Sequence, residues 1–194
     1  MQHLWKAGMV AAVAAVAVAL APAALAAGPP PDKGRGPGPE AGWKVTRLDD
    51  SGRVLDVRSG TGPAPARDEV GVTSLSGCNS VDVWRNSYTA LGTLAYRFHQ
   101  VKHWCWSFPR ITSVSVGTYV SDRTFTYYYR GIVGQHDFFY PLWSGDGGRG
   151  GHDSMRQAAF ENCVLTYGCI KAEYPLVQIW VNGDGWWFYY TAMH

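Results

Sequence analysis

Residues 177–190 read VQIWVNGDGWWFYY. Val177 to Val181 alternates apolar and polar or aromatic side chains, Asn182-Gly183-Asp184-Gly185 follows, and a second apolar run leads out through Tyr190. This is the pattern of a β-hairpin: β-branched and aromatic residues fit a pleated surface, and Asn-Gly and Asp-Gly supply the positive φ angles that tight turns need. With all four residues 182–185 as the turn, Val181 meets Trp186, Ile179 meets Phe188 and Val177 meets Tyr190, an apolar face suited to a core. The opposite face then carries Trp180 against Trp187 and Gln178 against Tyr189.

Working upstream, the pattern repeats. From Gly71 onward, short runs rich in Val, Ile, Thr, Tyr, Phe and Trp alternate with turn residues, and no long stretch sustains a 3.6-residue period. A turn at Ser121-Asp122-Arg123-Thr124 predicts a hairpin with Val120 opposite Phe125, Thr118 opposite Tyr127 and Val116 opposite Tyr129. Its outer face holds Ser115, Tyr119, Thr126, Tyr128 and Arg130. Val81 to Tyr88 and Thr93 to Cys105 fold about Leu91-Gly92 and bring Cys78 level with Cys105. Trp43 to Val57 forms a further hairpin about Asp49-Asp50-Ser51-Gly52, and residues 60–66 form a loop. Residues 154–163 suit either a short helix behind an Asp153-Ser154 cap or a strand. About ten short antiparallel strands predict an all-β fold, an antiparallel β-sandwich with a partly open barrel as the alternative.

The chain has 194 residues, and residues 1–26 carry Lys6, an apolar run from Met9 to Leu20 and Ala24-Leu25-Ala26, the marks of a cleaved export signal. Residues 27–42, rich in Gly and Pro, read as an extended linker, and residues 43–194 as one domain. The Ala-rich run is shorter than the ~20 residues a membrane helix needs, so no span is expected. Four cysteines, Cys78, Cys105, Cys163 and Cys169, in a chain bound for an oxidising compartment imply two disulfides. Cys78–Cys105 and Cys163–Cys169 is the favoured pairing of three, the first from the register above and the second because its loop closes locally. A formal charge of +2 lacks the basic surplus that a nucleic-acid backbone demands. Oligomeric state has no signature here.

The stretch LGTLAYRFHQVKHWCWSFPRITSV, residues 91–114, with the Cys163-x5-Cys169 pair and the NGDG hairpin, resembles a group of exported β-rich proteins of high-GC Gram-positive bacteria that have no known activity. The resemblance implies export, disulfides and β-structure, and it assigns no catalytic residue.

Reactive side chains are scattered. His99 and His103 are spaced as helical metal ligands, but four residues of strand at ~3.3 Å each separate them by about 13 Å. The pairs His136-Asp137 and His152-Asp153 point to opposite faces of any strand that holds them. Residues 144–153, SGDGGRGGHD, hold five glycines but match no phosphate or dinucleotide loop. They read as a long mobile loop or as a binding lid that offers Asp146, Arg149 and His152. Calcium at Asp146 with Asp153, or at Asp184, has little support, since Asn-Gly and Asp-Gly serve a tight turn anyway, and neither metal nor cofactor is assigned.

Nine Trp and eleven Tyr are the functional signal, because their rings pair an apolar face with a polar edge. The reading that follows is a secreted, disulfide-linked binding module that recognises a polysaccharide or cell-wall polymer through Trp180, Trp187, Tyr189 and Gln178. A small secreted hydrolase using His152, Asp146 or Glu161, and a protein-binding or antagonistic toxin using the same aromatic face, are the alternatives.

Overall fold

A computed structural model describes residues 40–49, 51–65, 75–164 and 167–194. The export signal and residues 27–39 of the linker lie outside the described residues, as do residue 66 of the loop 60–66 and the start of the run from Gly71. The described chain is all β, in ten strands. The first sheet is formed by β1 (Ala41–Leu48), β2 (Val54–Thr61), β3 (Ser76–Tyr88), β4 (Leu94–Ser107) and β5 (Arg110–Ser121), in the order β2-β1-β3-β4-β5. The second is formed by β6 (Tyr127–Tyr140), β7 (Gly151–Val164), β8 (Gly168–Glu173), β9 (Pro175–Asn182) and β10 (Trp187–Met193), in the order β10-β9-β7-β6, with β8 pairing the far half of β7. Every pairing is antiparallel. The sheets pack face to face as a β-sandwich, β3 and β4 lying against β9. Among the described residues there is no helix long and apolar enough to cross a membrane.

The core is where the apolar alternation of the two sheets meets. Val81, Val83, Phe98 and Trp104 of the first sheet face Phe160, Val177, Ile179 and Val181 of the second, all without solvent contact. Tyr96 stacks on Phe160 at 3.8 Å between ring centroids, and Trp43 meets Trp187 edge to face at 5.6 Å. Residues 154–163 are strand, which settles the choice between strand and helix. Strand β1 begins at Ala41, inside the segment read as linker, because Glu40 pairs with Arg85 at 2.8 Å and Gly42 lets the Trp84 ring lie across the strand.

Both disulfides are present as paired in the sequence reading. Cys78 and Cys105 are direct cross-strand partners on β3 and β4, and Cys163 and Cys169 face each other on β7 and β8. The hairpin about Asp49 to Gly52 also forms, with Leu48 opposite Val54.

Two register expectations are overturned. Residues 115–130 make no hairpin: β5 pairs with β4 and β6 pairs with β7, so the two strands belong to different sheets. The two-residue turn at Phe108-Pro109, joined by a cis peptide bond, brings β5 back along β4, and residues 122–126 then carry the chain across the sandwich. Tyr127 lands in the core against Tyr96, 5.4 Å between centroids. The shared outer face expected for Ser115, Tyr119, Thr126, Tyr128 and Arg130 therefore does not exist.

The final hairpin forms, but one residue out of the expected register. Its loop is Gly183-Asp184-Gly185, closed by Asn182 N–H donating to Trp186 O at 2.9 Å and Gly185 N–H donating to Asn182 O at 3.0 Å. Gly185 has φ +86°, the left-handed residue that closes a three-residue hairpin loop. An odd loop in place of an even one moves each side chain of β10 to the other face of the sheet. Trp187 now lies opposite Val181 and Phe188 opposite Trp180.

Candidate functional site

The slip decides which rings face out. Trp187, expected outside, has no solvent exposure and sits among Trp43 and the valines of the core. Tyr189 follows it onto the inner face, half-buried beside Trp187, with its hydroxyl donating to Gly62 O. Trp180 and Gln178 stay on the outer face, where Phe188 and Tyr190 replace the expected partners.

Registers across the second sheet place Phe188, Trp180, Asp153 and Phe138 side by side on four successive strands, β10, β9, β7 and β6. A parallel row holds Tyr190, Gln178, Met155 and His136. Trp180 stacks on Phe188 at 4.6 Å and 7° from parallel, and Trp186 closes the group 4.9 Å from Phe188. Phe138 and Leu142 stand 49% and 42% exposed on the other side. Between these walls lies a hollow of about 390 Å³, bounded also by Tyr140, Asp153 and Asn182.

The polar groups of the hollow are held in place. Asp153 is buried and accepts from Gln178 Nε2 at 2.9 and 3.0 Å, with His136 Nε2 at 3.3 Å from the same carboxylate. Tyr140 donates to Asn182 Oδ1 at 3.2 Å, and burial first, then the carboxylates of Asp153 and Asp184, pushes its hydroxyl up to about 12. Gly151 is required beneath Tyr140, since a Cβ there would run into the phenol ring. A hollow walled by rings and floored by one oriented carboxylate and one amide offers stacking to an apolar face and hydrogen bonds to hydroxyls.

The Gly-rich stretch is a tied-down corner rather than a long mobile loop. Asp146 is buried and accepts from the backbone N–H groups of Leu142, Trp143 and Gly148 at 2.7 to 2.9 Å, which holds its carboxyl below the usual range. Arg110 donates twice to Gly145 O, and Gly183 N–H donates to Gly150 O at 2.7 Å, tying the corner to both sheets. Arg149 spreads over Phe139 at 4.4 Å.

His152 points inward from β7, and burial first, then the neighbouring Lys102 charge, drives its imidazole down to about 4. Glu161 pairs with Arg130 at 2.6 Å. Asp146, His152 and Glu161 thus have separate surroundings and make no shared acid-base pair. His103 lies against the Cys78–Cys105 sulfur at 3.7 Å, while His99 is held by Asp82, so the two histidines have separate partners.

Sequence reasoning missed Phe188, Phe138 and Tyr140, which an odd turn or a correct pairing of β6 would have placed, and Asp153, whose role depends on β7 being a strand. Comparison with protein-family models, with curated proteins and with solved structures finds no match.

Proposed function

We propose that the chain is an exported binding module and that the outer face of its second sheet recognises a glycan, of the cell wall or the surroundings. The observation that carries the reading is the stacked Trp180–Phe188 pair beside the oriented Asp153 carboxylate, across a hollow from Phe138. Sugar rings present apolar C–H faces and peripheral hydroxyls, and an aromatic wall with a fixed carboxylate complements both. Phe138 and Leu142 keep apolar surface open to solvent beside the stacked pair, as a binding face does. The export-type leader, the two disulfides and the resemblance to exported bacterial proteins support the location.

The test is retention on insoluble polysaccharides and on peptidoglycan, read together with tryptophan fluorescence. Retention of the wild type, its loss in Trp180→Ala and its weakening in Asp153→Asn are the expected results. No retention on any of these polymers and an unmoved emission spectrum would remove the reading.

A further inference from the structure

The outer face of the first sheet holds a second constellation. Asp82 on β3, His99 on β4 and Ser121 at the end of β5 lie on one face, together with Trp84 and Tyr119. The Asp82 carboxylate stands 3.0 Å (Oδ1) and 3.3 Å (Oδ2) from His99 Nδ1, and His99 Nε2 stands 2.9 Å from Ser121 Oγ. A carboxylate at Nδ1 selects the tautomer that carries its proton there and leaves Nε2 free to accept from the serine. We propose that Ser121, His99 and Asp82 form a nucleophilic triad that hydrolyses carboxylic esters, a function separate from the binding face of the other sheet.

The surroundings give each member a fixed role. Tyr119 donates to Asp82 Oδ2 at 2.6 Å and stacks on the imidazole at 4.0 Å, so the carboxylate and the ring are both held; Tyr119 is a positioning residue. Trp84 lies 5.6 Å from the imidazole, and His99 is only 5% exposed, which keeps bulk water from its edge. Ser121 is partly exposed, so the nucleophile can meet a substrate, with His99 Nε2 only 2.9 Å behind its Oγ. Asp122, at φ +54°, turns the chain directly after Ser121 and leaves its hydroxyl at the strand end. That hydroxyl also reaches Asp122 Oδ2 at 3.0 Å, and rotation about Cβ–Oγ swings its proton to His99. Arg97, the cross-strand partner of Ser121, is ion-paired through Nη1 with Asp122 Oδ2 at 3.3 Å, while its buried Nε–H has no protein acceptor, so one guanidinium donor beside the serine is uncommitted.

In the reaction Ser121 Oγ attacks the ester carbonyl carbon as its proton passes to His99 Nε2. The bond to the alkoxy oxygen breaks, and the alcohol leaves with the proton from His99. Water then attacks the acyl-serine, giving its proton to His99, and collapse releases the carboxylic acid while Ser121 Oγ takes the proton back. An ester is the fitting substrate class because an alkoxide leaves with less help than an amine, and the site on an open sheet face offers a single acid.

The experiment uses the oxidised full-length mature chain with an alkyl fluorophosphonate and, in parallel, p-nitrophenyl acetate. Intact-mass and peptide mapping should find one phosphonyl adduct, on Ser121, and none in Ser121→Ala. His99→Gln and Asp82→Asn should each slow labelling and turnover by more than ~100-fold while near-ultraviolet circular dichroism stays unchanged. No adduct on the folded wild type, an adduct on another residue, or a Ser121 adduct that forms as fast in Asp82→Asn would overturn the assignment. Should His99→Gln not fold, Ser121→Ala and Asp82→Asn decide the matter alone.

Discussion

Lys102 Nζ reaches from β4 across the sandwich and donates to the backbone carbonyls of His152, at 2.9 Å, and Ile179, at 2.8 Å, on the opposing sheet. Its neighbour Gln100 does the same with Ser154, donating to Oγ at 2.7 Å. Phe98, Gln100, Lys102, Trp104 and Trp106 all point inward along one strand, so a polar seam runs through the apolar core. Burial lowers the ammonium of Lys102 to about 7 despite the opposing pull of Asp153 and Asp137.

The seam makes stability depend on pH in two windows. A base whose folded pKa lies below its unfolded value binds more protons when unfolded, so unfolding free energy rises with pH between the two values. For His152 that window runs from about 4 to 6.5, and for Lys102 from about 7 upward. Above pH 10 the raised hydroxyl of Tyr140 acts with the opposite sign. Denaturant melts taken from pH 4 to pH 9.5 should show stability climbing across both windows. Lys102→Met should flatten the upper one, and His152→Leu the lower.

The slipped register separates two tryptophans that the sequence treats alike. Trp187→Ala should cost about 3–5 kcal/mol, since it empties a fully enclosed site against Trp43. Trp180→Ala should cost only about 1 kcal/mol, the worth of its stack on Phe188. Equilibrium unfolding in urea measures both, and equal costs would mean that the hairpin pairs as an even-loop hairpin after all.

Gly151 tests the hollow without replacing any of its rings. Gly151→Ala should push Tyr140 off the strand and break its bond to Asn182, weakening polymer retention several-fold more than Tyr140→Phe, which keeps the ring in place. Binding isotherms on the best polysaccharide from the retention screen would show the difference.

The two disulfides close loops of unequal length, 27 and 6 residues apart in sequence. On chain-entropy grounds, Cys78→Ser with Cys105→Ser should destabilise by about 3–4 kcal/mol, and the Cys163 and Cys169 pair of serines by about 2 kcal/mol. A non-reducing peptide map should link 78 to 105 and 163 to 169; a reversed order of stability would point to structure retained in the reduced unfolded chain.

Much of the architecture was legible because strand periodicity is local. Alternation along Val177 to Val181 shows which of its side chains share a face, and the match of Cys78 with Cys105 follows from counting back from Leu91-Gly92. The Asp82–His99–Ser121 cluster was not legible: its members are separated by 17 and 22 residues, and only the order β3-β4-β5 brings them within hydrogen-bond reach. Nor was the Lys102 seam, since an inward lysine violates the pattern by which inward residues are recognised.

The sequence alone determined the all-β class, the Cys78–Cys105 pair through turn counting and the Cys163–Cys169 pair through its short loop. Tertiary structure decided which aromatics are exposed, because a single left-handed glycine at 185 fixes an odd loop and turns every side chain of the last strand over. It also decided that β5 and β6 part company, because strand pairing is a competition among edges that only the assembled sheets resolve.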